Sequence, residues 1–386
     1  MRRIVYIIGG IWNGSGMERA LTMKANYMAD VAGYEVIVLL TEDGNGPSYF
    51  PLSNKIKLYN VHVNFDELYT LPLYRRVFSY FRKQHLYKKR LTSFLMETKP
   101  YITVSAMRRE INFINDIPDG SKKVGEIHFS RIGYREINIK FLPNFINHCI
   151  SNIWFNKLLR EIERLSAFVV LTNEDKNNWP MLSNIHVIPN PVSFSPTKQA
   201  LCENKQVIAV GRYTYQKGFD LLIDAWTIVN KKHPDWTLNI YGGGDRGLYQ
   251  KMADNKGLGH SFICNGAVSD IEEKYAESSF FVLSSRYEGS PMVLVEAMAC
   301  GLPCVSFACP CGPRDIIQEG VNGFLVDNGN VEQLAEEMIY MIEHPEKRKL
   351  MGIQAKDSVN RFKMNIIGKQ WEELFNNISN RRVYEA

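Results

Sequence analysis

No stretch of this chain is long and apolar enough to cross a bilayer, since none approaches the ~18–20 apolar residues that a spanning helix needs. Met1-Arg2-Arg3 followed by Ile4 to Ile8 resembles the start of a signal peptide. It has no small-residue cleavage site, however, and Gly9-Gly10 interrupts it early. A first β-strand and a cytoplasmic location, the inner face of the cytoplasmic membrane included, are the expectation. A large excess of charge of one sign is lacking too. A formal net charge of +5 is too small to imply a nucleic-acid partner. Metal-ligand spacing is absent: seven cysteines are scattered, and the local group Cys300, Cys304, Cys309 and Cys311 lacks the usual structural zinc pattern. These thiols are expected to be reduced, buried small hydrophobes, so no metal is expected, and no other cofactor is expected either. The loop Gly9 to Gly16 does not have the G-x-G-x-x-G spacing, which argues against a nicotinamide site. Low-complexity tracts and solenoid-period repeats are lacking as well.

What is present is strand–helix alternation, twice. With 386 residues, 45% hydrophobic and 23% charged, two domains with good cores are expected. Arg3 to Ile8, a glycine-rich loop, a helical pattern from Met17 to Ala32 closed by Gly33, and the strand-like Val36 to Leu40 begin a parallel doubly wound sheet. Tyr101 to Ser105, Lys122 to Ile127 and Phe168 to Leu171 continue it, with a helical, aromatic-rich Tyr134 to Arg164 between the last two. Pro189-Asn190-Pro191 makes a stiff connector. The pattern restarts at Val207 to Val210 and continues through Trp236 to Tyr241, Phe262 to Val268 and Phe280 to Leu283. Val331 onward is helical, with a last amphipathic helix over Asn365 to Asn380.

The densest chemistry lies between Ser284 and Asp315. Ser290 reads as a helix N-cap with Pro291 at N1, and Gly301 and Pro303 end the helix. A capped helix opening onto a strand end presents free N–H groups, a ready site for phosphate. Glu288 sits in the loop and Glu296 inside the apolar run Met292 to Met298. A carboxylate there needs donors, which ribose hydroxyls or a buried arginine would supply, a structural ion pair being the plainer alternative. Earlier in this half, Arg212 and Lys217 emerge from one loop after a strand, where anionic ligands bind.

The run Tyr287-Glu288-Gly289-Ser290-Pro291-Met292-Val293-Leu294-Val295-Glu296, with Gly312-Pro313-Arg314-Asp315 and Gly320 to Val326 behind it, resembles the signature of retaining glycosyltransferase family 4. The resemblance implies an α/β, GT-B architecture: two Rossmann-like doubly wound parallel-sheet domains facing a cleft, with a C-terminal helix crossing back to the first. The corresponding spans are 1–192 for acceptor binding, 193–364 for the nucleotide sugar and 365–386 for the returning helix. It implies a hexosyltransferase, independent of metal, that moves a hexose or N-acetylhexosamine from a nucleotide diphosphate sugar, taken as UDP-linked, to a growing surface glycan. That glycan is free or lipid-linked. A nucleotide-sugar epimerase and a non-catalytic nucleotide-sugar-binding protein share the fold and stand as alternatives.

By the same resemblance, Glu288 lies by the donor sugar and Glu296 holds the ribose. Arg212 and Lys217 neutralise the diphosphate, and Gly289, Ser290, Pro291, Met292 and Val293 line the nucleotide site. Gly16, in Gly14-Ser15-Gly16-Met17-Glu18-Arg19, faces the diphosphate, and His128 at a strand end lies beside sugar and acceptor. Ser290 departs from the phenylalanine common at that position. A histidine placed like His128 is otherwise most often structural.

Leu71 to Arg90 contains Arg75, Arg76, Arg82, Lys83, Lys88, Lys89 and Arg90 among aromatics, with no acidic residue. An amphipathic helix, basic on one side and aromatic on the other, would suit an anionic membrane surface. The alternative is a solvated helix with its aromatics on the sheet.

Overall fold

The computed structural model of the chain describes residues 2–44, 46–131 and 144–380. Residues 134–143 of the helical pattern and 381–386 of the last span lie outside them. The chain divides into two compact units. One comprises Met1–Leu171, Lys176–Pro189 and Met364–Ala386, and the other Thr172–Asp175 and Asn190–Lys363.

The first unit holds β1 (Arg3–Ile8), β2 (Glu35–Leu40), β3 (Lys57–Asn60), β4 (Ile102–Ser105), β5 (Lys122–Glu126), β6 (Ala167–Val170) and β7 (Ile185–Val187). They form one parallel sheet in the order β3-β2-β1-β4-β5-β6-β7. The order reverses between β1 and β4, which leaves a crevice outside the carboxyl ends of those strands. Alternate residues of β1 serve opposite faces: Val5 and Ile7 join one buried cluster, and Ile4, Tyr6 and Ile8 another. A sheet buried on both faces produces this near-continuous apolar run.

The second unit holds β8 (Gln206–Val210), β9 (Thr237–Tyr241), β10 (Phe262–Asn265), β11 (Phe280–Leu283), β12 (Cys304–Phe307) and β13 (Gly323–Val326). The order is β10-β9-β8-β11-β12-β13, again parallel, with its reversal between β8 and β11. Cys300, Cys304, Cys309 and Cys311 are buried in this unit and form no disulfide among the described residues.

The helix Met364–Asn380 returns to the first unit and packs Ile367, Trp371, Leu374, Phe375 and Ile378 into its core. Tyr27 on the helix Gly16–Asp30 donates to Glu372 at 2.9 Å. Beneath that contact lies a buried ion pair, Lys24 to Glu126 at the end of β5. The Lys24 ammonium also sits 4.0 Å from the Trp371 ring centroid and 5.2 Å from that of Tyr6. Burial alone would raise the Glu126 pKa, but Lys24 and His128 together bring it down to about 2. Burial outweighs Glu126 at Lys24 and holds it below the usual lysine value.

The basic helix spans Leu73–Thr98, and its faces differ from the sequence expectation. Several cations turn inward. Lys83 donates to the carbonyls of Val63 and Asn64 and to Glu67, Arg90 to those of Val61 and His62, and Arg76 to those of Tyr69 and Leu71. These bonds satisfy the carbonyls of the irregular segment 61–71, an accounting that sequence periodicity does not show. Lys88 lies 3.7 Å from Asp116. Tyr87 is buried, while Tyr74, Val77, Phe78 and Phe81 face outward beside Arg75, Arg82 and Lys89. Basic and aromatic residues therefore share the outer face instead of dividing the helix between them.

Candidate active site

In the second unit, the site lies at the reversal between β8 and β11. The segment after β8 carries Arg212 and Lys217, and the segment after β11 carries Ser284 to Glu288. A short 3-10 turn, Tyr215–Lys217, ends at Gly218 with φ 62°. A Cβ on Gly218 would lie 2.1 Å from the Ser284 carbonyl oxygen, so only glycine lets the two segments meet this closely. The contact is then bolted by polar bonds. Ser284 Oγ donates to the Lys217 carbonyl at 2.9 Å, and Arg286 N–H to the Gln216 carbonyl at 2.8 Å. The Arg286 guanidinium grips Asp220 through two bonds of 2.8 and 2.5 Å and lies 3.9 Å from the Tyr215 ring centroid. Asp220 is held below the usual carboxylate range by those Arg286 bonds.

The scaffold brings together two groups that stand 71 residues apart. Lys217 Nζ lies 2.7 Å from Glu288 Oε1, both largely buried, and Ser285 Oγ donates to the same oxygen at 2.6 Å. Glu288 N–H donates to the Pro310 carbonyl at 3.0 Å, fixing the loop from the other side. Nearby, burial first and then Glu288 push the Cys309 thiol far up, leaving it inert. Arg212 is exposed and has no ion-pair partner among the described residues. One carboxylate and one cation thus meet at a strand-end crevice, and a second cation on the same loop as Lys217 is uncommitted among the described residues.

The helix that follows spans Met292–Ala299, with Pro291 at the N-cap and no side-chain cap. Ser290 therefore stands one residue outside the N-cap position expected from sequence, because proline at 291 takes an extended ψ of 87° and does not begin the helix. The first-turn amides of this helix, Met292 and Val293 among them, have no intrahelical acceptor by geometry. Gly301 has φ 85° and sits beyond the C-cap Cys300, as the sequence predicts. Gly289 and Ser290 are half-buried, and Pro291 packs on Gly312, where a Cβ would come within 2.4 Å of the proline Cδ. Glu296 is buried and accepts from Ser193 Oγ at 2.5 Å and from Tyr275 OH at 3.4 Å. Sequence reasoning anticipated the need for donors and missed both of these. Neither hydroxyl has a local pattern that links it to residue 296.

In the first unit, the equivalent crevice between β1 and β4 opens into a cavity of about 690 Å³. Met17, one residue after Gly16 at the start of its helix, forms one wall. The Ala106 to Asn112 segment after β4 forms another, and His128 after β5 a third. The His128 side chain is only 5% exposed, and among the described residues neither ring nitrogen has a hydrogen-bond partner. Its Nε2 is 3.5 Å from Glu126 Oε1, an electrostatic contact without bonding geometry. Arg108, Arg109, Trp154 and Lys157 also line this space. The sequence analysis missed them, although two adjacent arginines just beyond a strand end were a usable signal.

Residues 195–358 match the family of glycosyl transferases group 1. An uncharacterized glycosyltransferase of Haemophilus influenzae is 29% identical over 97% of this chain and 100% of its own length. The amylovoran biosynthesis glycosyltransferase AmsD of Erwinia amylovora is 25% identical, again over 97% of this chain and the whole of its own. Among solved structures, a mutant of S. aureus TarM, in complex with fondaparinux, alpha-GlcNAc-glycerol and UDP, superposes with a TM-score of 0.76. It shares 15% identity over 97% of this chain and 100% of its own, a likeness that establishes the fold. Together these findings support a glycosyltransferase of GT-B fold, within which family 4 is a finer assignment.

Proposed function

We propose that the chain is a retaining, metal-independent hexosyltransferase of family 4. Its donor is a nucleotide diphosphate sugar with uridine as the base, and its acceptor is a hydroxyl of a surface glycan. The observation that carries this is the Lys217–Glu288 pair at 2.7 Å, at the strand-order reversal of the unit that matches the family. The complex of TarM with UDP and the role of AmsD in amylovoran biosynthesis support the donor and acceptor classes.

The chemistry follows from the charges. As the glycosidic bond breaks, the leaving diphosphate gains negative charge. Lys217, uncommitted Arg212 and the first-turn amides at Met292 and Val293 stabilise that charge. Lys217 is neutralised by Glu288 at rest, so an arriving diphosphate competes for the ammonium and frees the carboxylate towards the sugar. Glu288 then positions the donor sugar, and the departing phosphate takes the proton of the accepting hydroxyl. Glu296 holds the ribose by accepting from its hydroxyls. Incubating the protein with UDP-sugars and a glycan acceptor, with and without EDTA, tests this. Release of UDP only when acceptor is present, unchanged by the chelator, is expected. Donor converted to another sugar nucleotide without acceptor would favour the epimerase.

No helix among the described residues is long and apolar enough to cross a membrane. The outer face of the Leu73–Thr98 helix offers a different contact. Tyr74, Val77, Phe78 and Phe81 are 50% to 75% exposed in a row at helical spacing. Arg75, Arg82 and Lys89 beside them have no ion pair among the described residues. We propose that this face rests on an anionic membrane, the aromatics entering the interface and each basic residue contributing ~1 kcal/mol. Arg75, Arg82 and Lys89 changed together to Glu should abolish sedimentation with phosphatidylglycerol vesicles. Activity on a short soluble acceptor should persist. Wild-type protein that ignores such vesicles at low salt would contradict the contact.

A further inference from the structure

The first unit's cavity is charged in one sense. Among the described residues, Arg108, Arg109 and Lys157 line it, no carboxylate does, and none of the three has an ion-pair partner. Neighbouring acids are engaged elsewhere. Glu110 accepts from Tyr87 OH, Ser105 Oγ and the Arg108 N–H, Glu42 from Thr41 Oγ1 and the Asp66 N–H, and Glu126 pairs with Lys24, while Glu18 accepts from Asn13 and feels Arg108 only as its weakest influence. Arg109 lies 4.3 Å from the Phe65 ring centroid, which orients its guanidinium without neutralising it. Arg108 reaches back over the loop after β1, its guanidinium carbon 3.8 Å from where a Gly9 Cβ would stand.

Two more features indicate a ligand. His128, its side chain nine-tenths buried, lines this space, and neither ring nitrogen has a hydrogen-bond partner among the described residues. An unpartnered buried imidazole costs stability unless a ligand completes it. Tyr69, Tyr80 and Trp154 supply flat apolar walls with polar tips, surfaces that suit the C–H faces of a sugar ring.

We propose that this cavity is a subsite for a saccharide or polyol bearing a phosphate ester. The phosphate lies against Arg108, Arg109 and Lys157, and a hydroxyl is offered to His128. Three positive charges match the two negative charges of a phosphomonoester or a sugar diphosphate better than the single charge of a carboxylate, and arginine's planar fork binds phosphate oxygens in pairs. The inference rests on the transferase reading for the identity of the ligand as acceptor. The recognition chemistry is the cavity's own.

The test separates the two. N-acetylglucosamine 1-phosphate and N-acetylglucosamine are titrated by calorimetry into the full chain saturated with UDP, so that the second unit's anion site is filled. The phosphorylated sugar is expected to bind saturably, at least tenfold tighter than the neutral one. Arg109→Gln and Lys157→Gln are each expected to weaken it about tenfold with the UDP affinity unchanged, since both side chains lie on the cavity wall and leave the fold intact. Equal binding of the two sugars, no binding of either, or indifference to both substitutions would overturn the proposal. Displacement of the phosphosugar by further UDP would overturn it as well. Phosphosugar binding in a chain that binds no nucleoside diphosphate would instead sink the transferase reading and leave the subsite standing. Competition by a farnesyl-linked sugar diphosphate points to a lipid-borne source of the phosphate, and competition by a glycerol phosphate oligomer to a polymeric one. Either supports the subsite.

Discussion

Lys217→Ala is expected to lower the rate of sugar transfer about 10²–10³-fold, the loss of one preorganised donor to a developing anion, or ~3–4 kcal/mol. The substitution also leaves Glu288 with Ser285 Oγ as its remaining side-chain donor. The ion pair is largely buried, so the substitution removes the charge partner of a carboxylate as well as a ligand for the diphosphate. Lys217→Arg keeps the charge but not the fit: the guanidinium is planar and larger, and the Gly211 Cβ position is already 3.1 Å from the lysine stem. A partial rescue of rate by arginine, with full rescue of stability, is the expected pattern. Arg212 is exposed, so Arg212→Ala should leave stability unchanged while lowering the rate in the same direction. Steady-state kinetics with a urea titration of each variant checks both. Near-normal rates in the two alanine variants would remove the diphosphate assignment.

Glu126→Gln carries the largest expected cost in stability. It leaves the Lys24 ammonium buried between Tyr6 and Trp371 without its charge partner. Removing one member of a buried pair typically costs ~3–5 kcal/mol, whereas replacing both by apolar residues of similar volume is near neutral. The urea midpoint of the first unit should therefore drop in Glu126→Gln and recover in a Lys24→Met, Glu126→Leu double variant. The pH dependence has a definite sign. Glu126 is depressed to about 2 from an ordinary value of 4.5. Its contribution is present above the unfolded-state pKa and is lost as pH falls from there toward about 2. Loss of stability on raising the pH from about 5 to about 7, attributable to this residue, would contradict the assignment.

Much of the architecture was legible because both sheets are parallel and covered on both faces. That burial writes apolar runs such as Ile4 to Ile8 and Phe280 to Leu283 between helical patterns. The strands that escaped notice, β3, β7 and β13, are short edge strands that each carry exposed or half-buried residues, so no apolar period marks them. Lys217 and Glu288 could be named from their motifs, but their meeting depends on Gly218 lying against Ser284, a contact between segments distant in sequence. The basic helix shows the opposite limit. Its composition suggested one cationic surface, yet Arg76, Lys83 and Arg90 are spent on carbonyls of segment 61–71, a demand set by an irregular chain path. Ser193 and Tyr275 reach Glu296 for a similar reason: tertiary packing, not spacing, supplies a buried carboxylate with donors.

The most direct measurement is a calorimetric titration of UDP into the intact protein. Its outcome is compared with Glu296→Gln, Glu288→Gln and an Arg212→Ala, Lys217→Ala double variant. Saturable binding to the wild type is predicted, about tenfold weaker in Glu296→Gln because the ribose bond loses its charge, ~1–3 kcal/mol. Glu288→Gln should bind UDP within a few-fold of wild type, and the double variant should bind it at least a hundredfold more weakly. A protein that binds UDP, GDP, CDP and ADP no better than the double variant does would contradict the account.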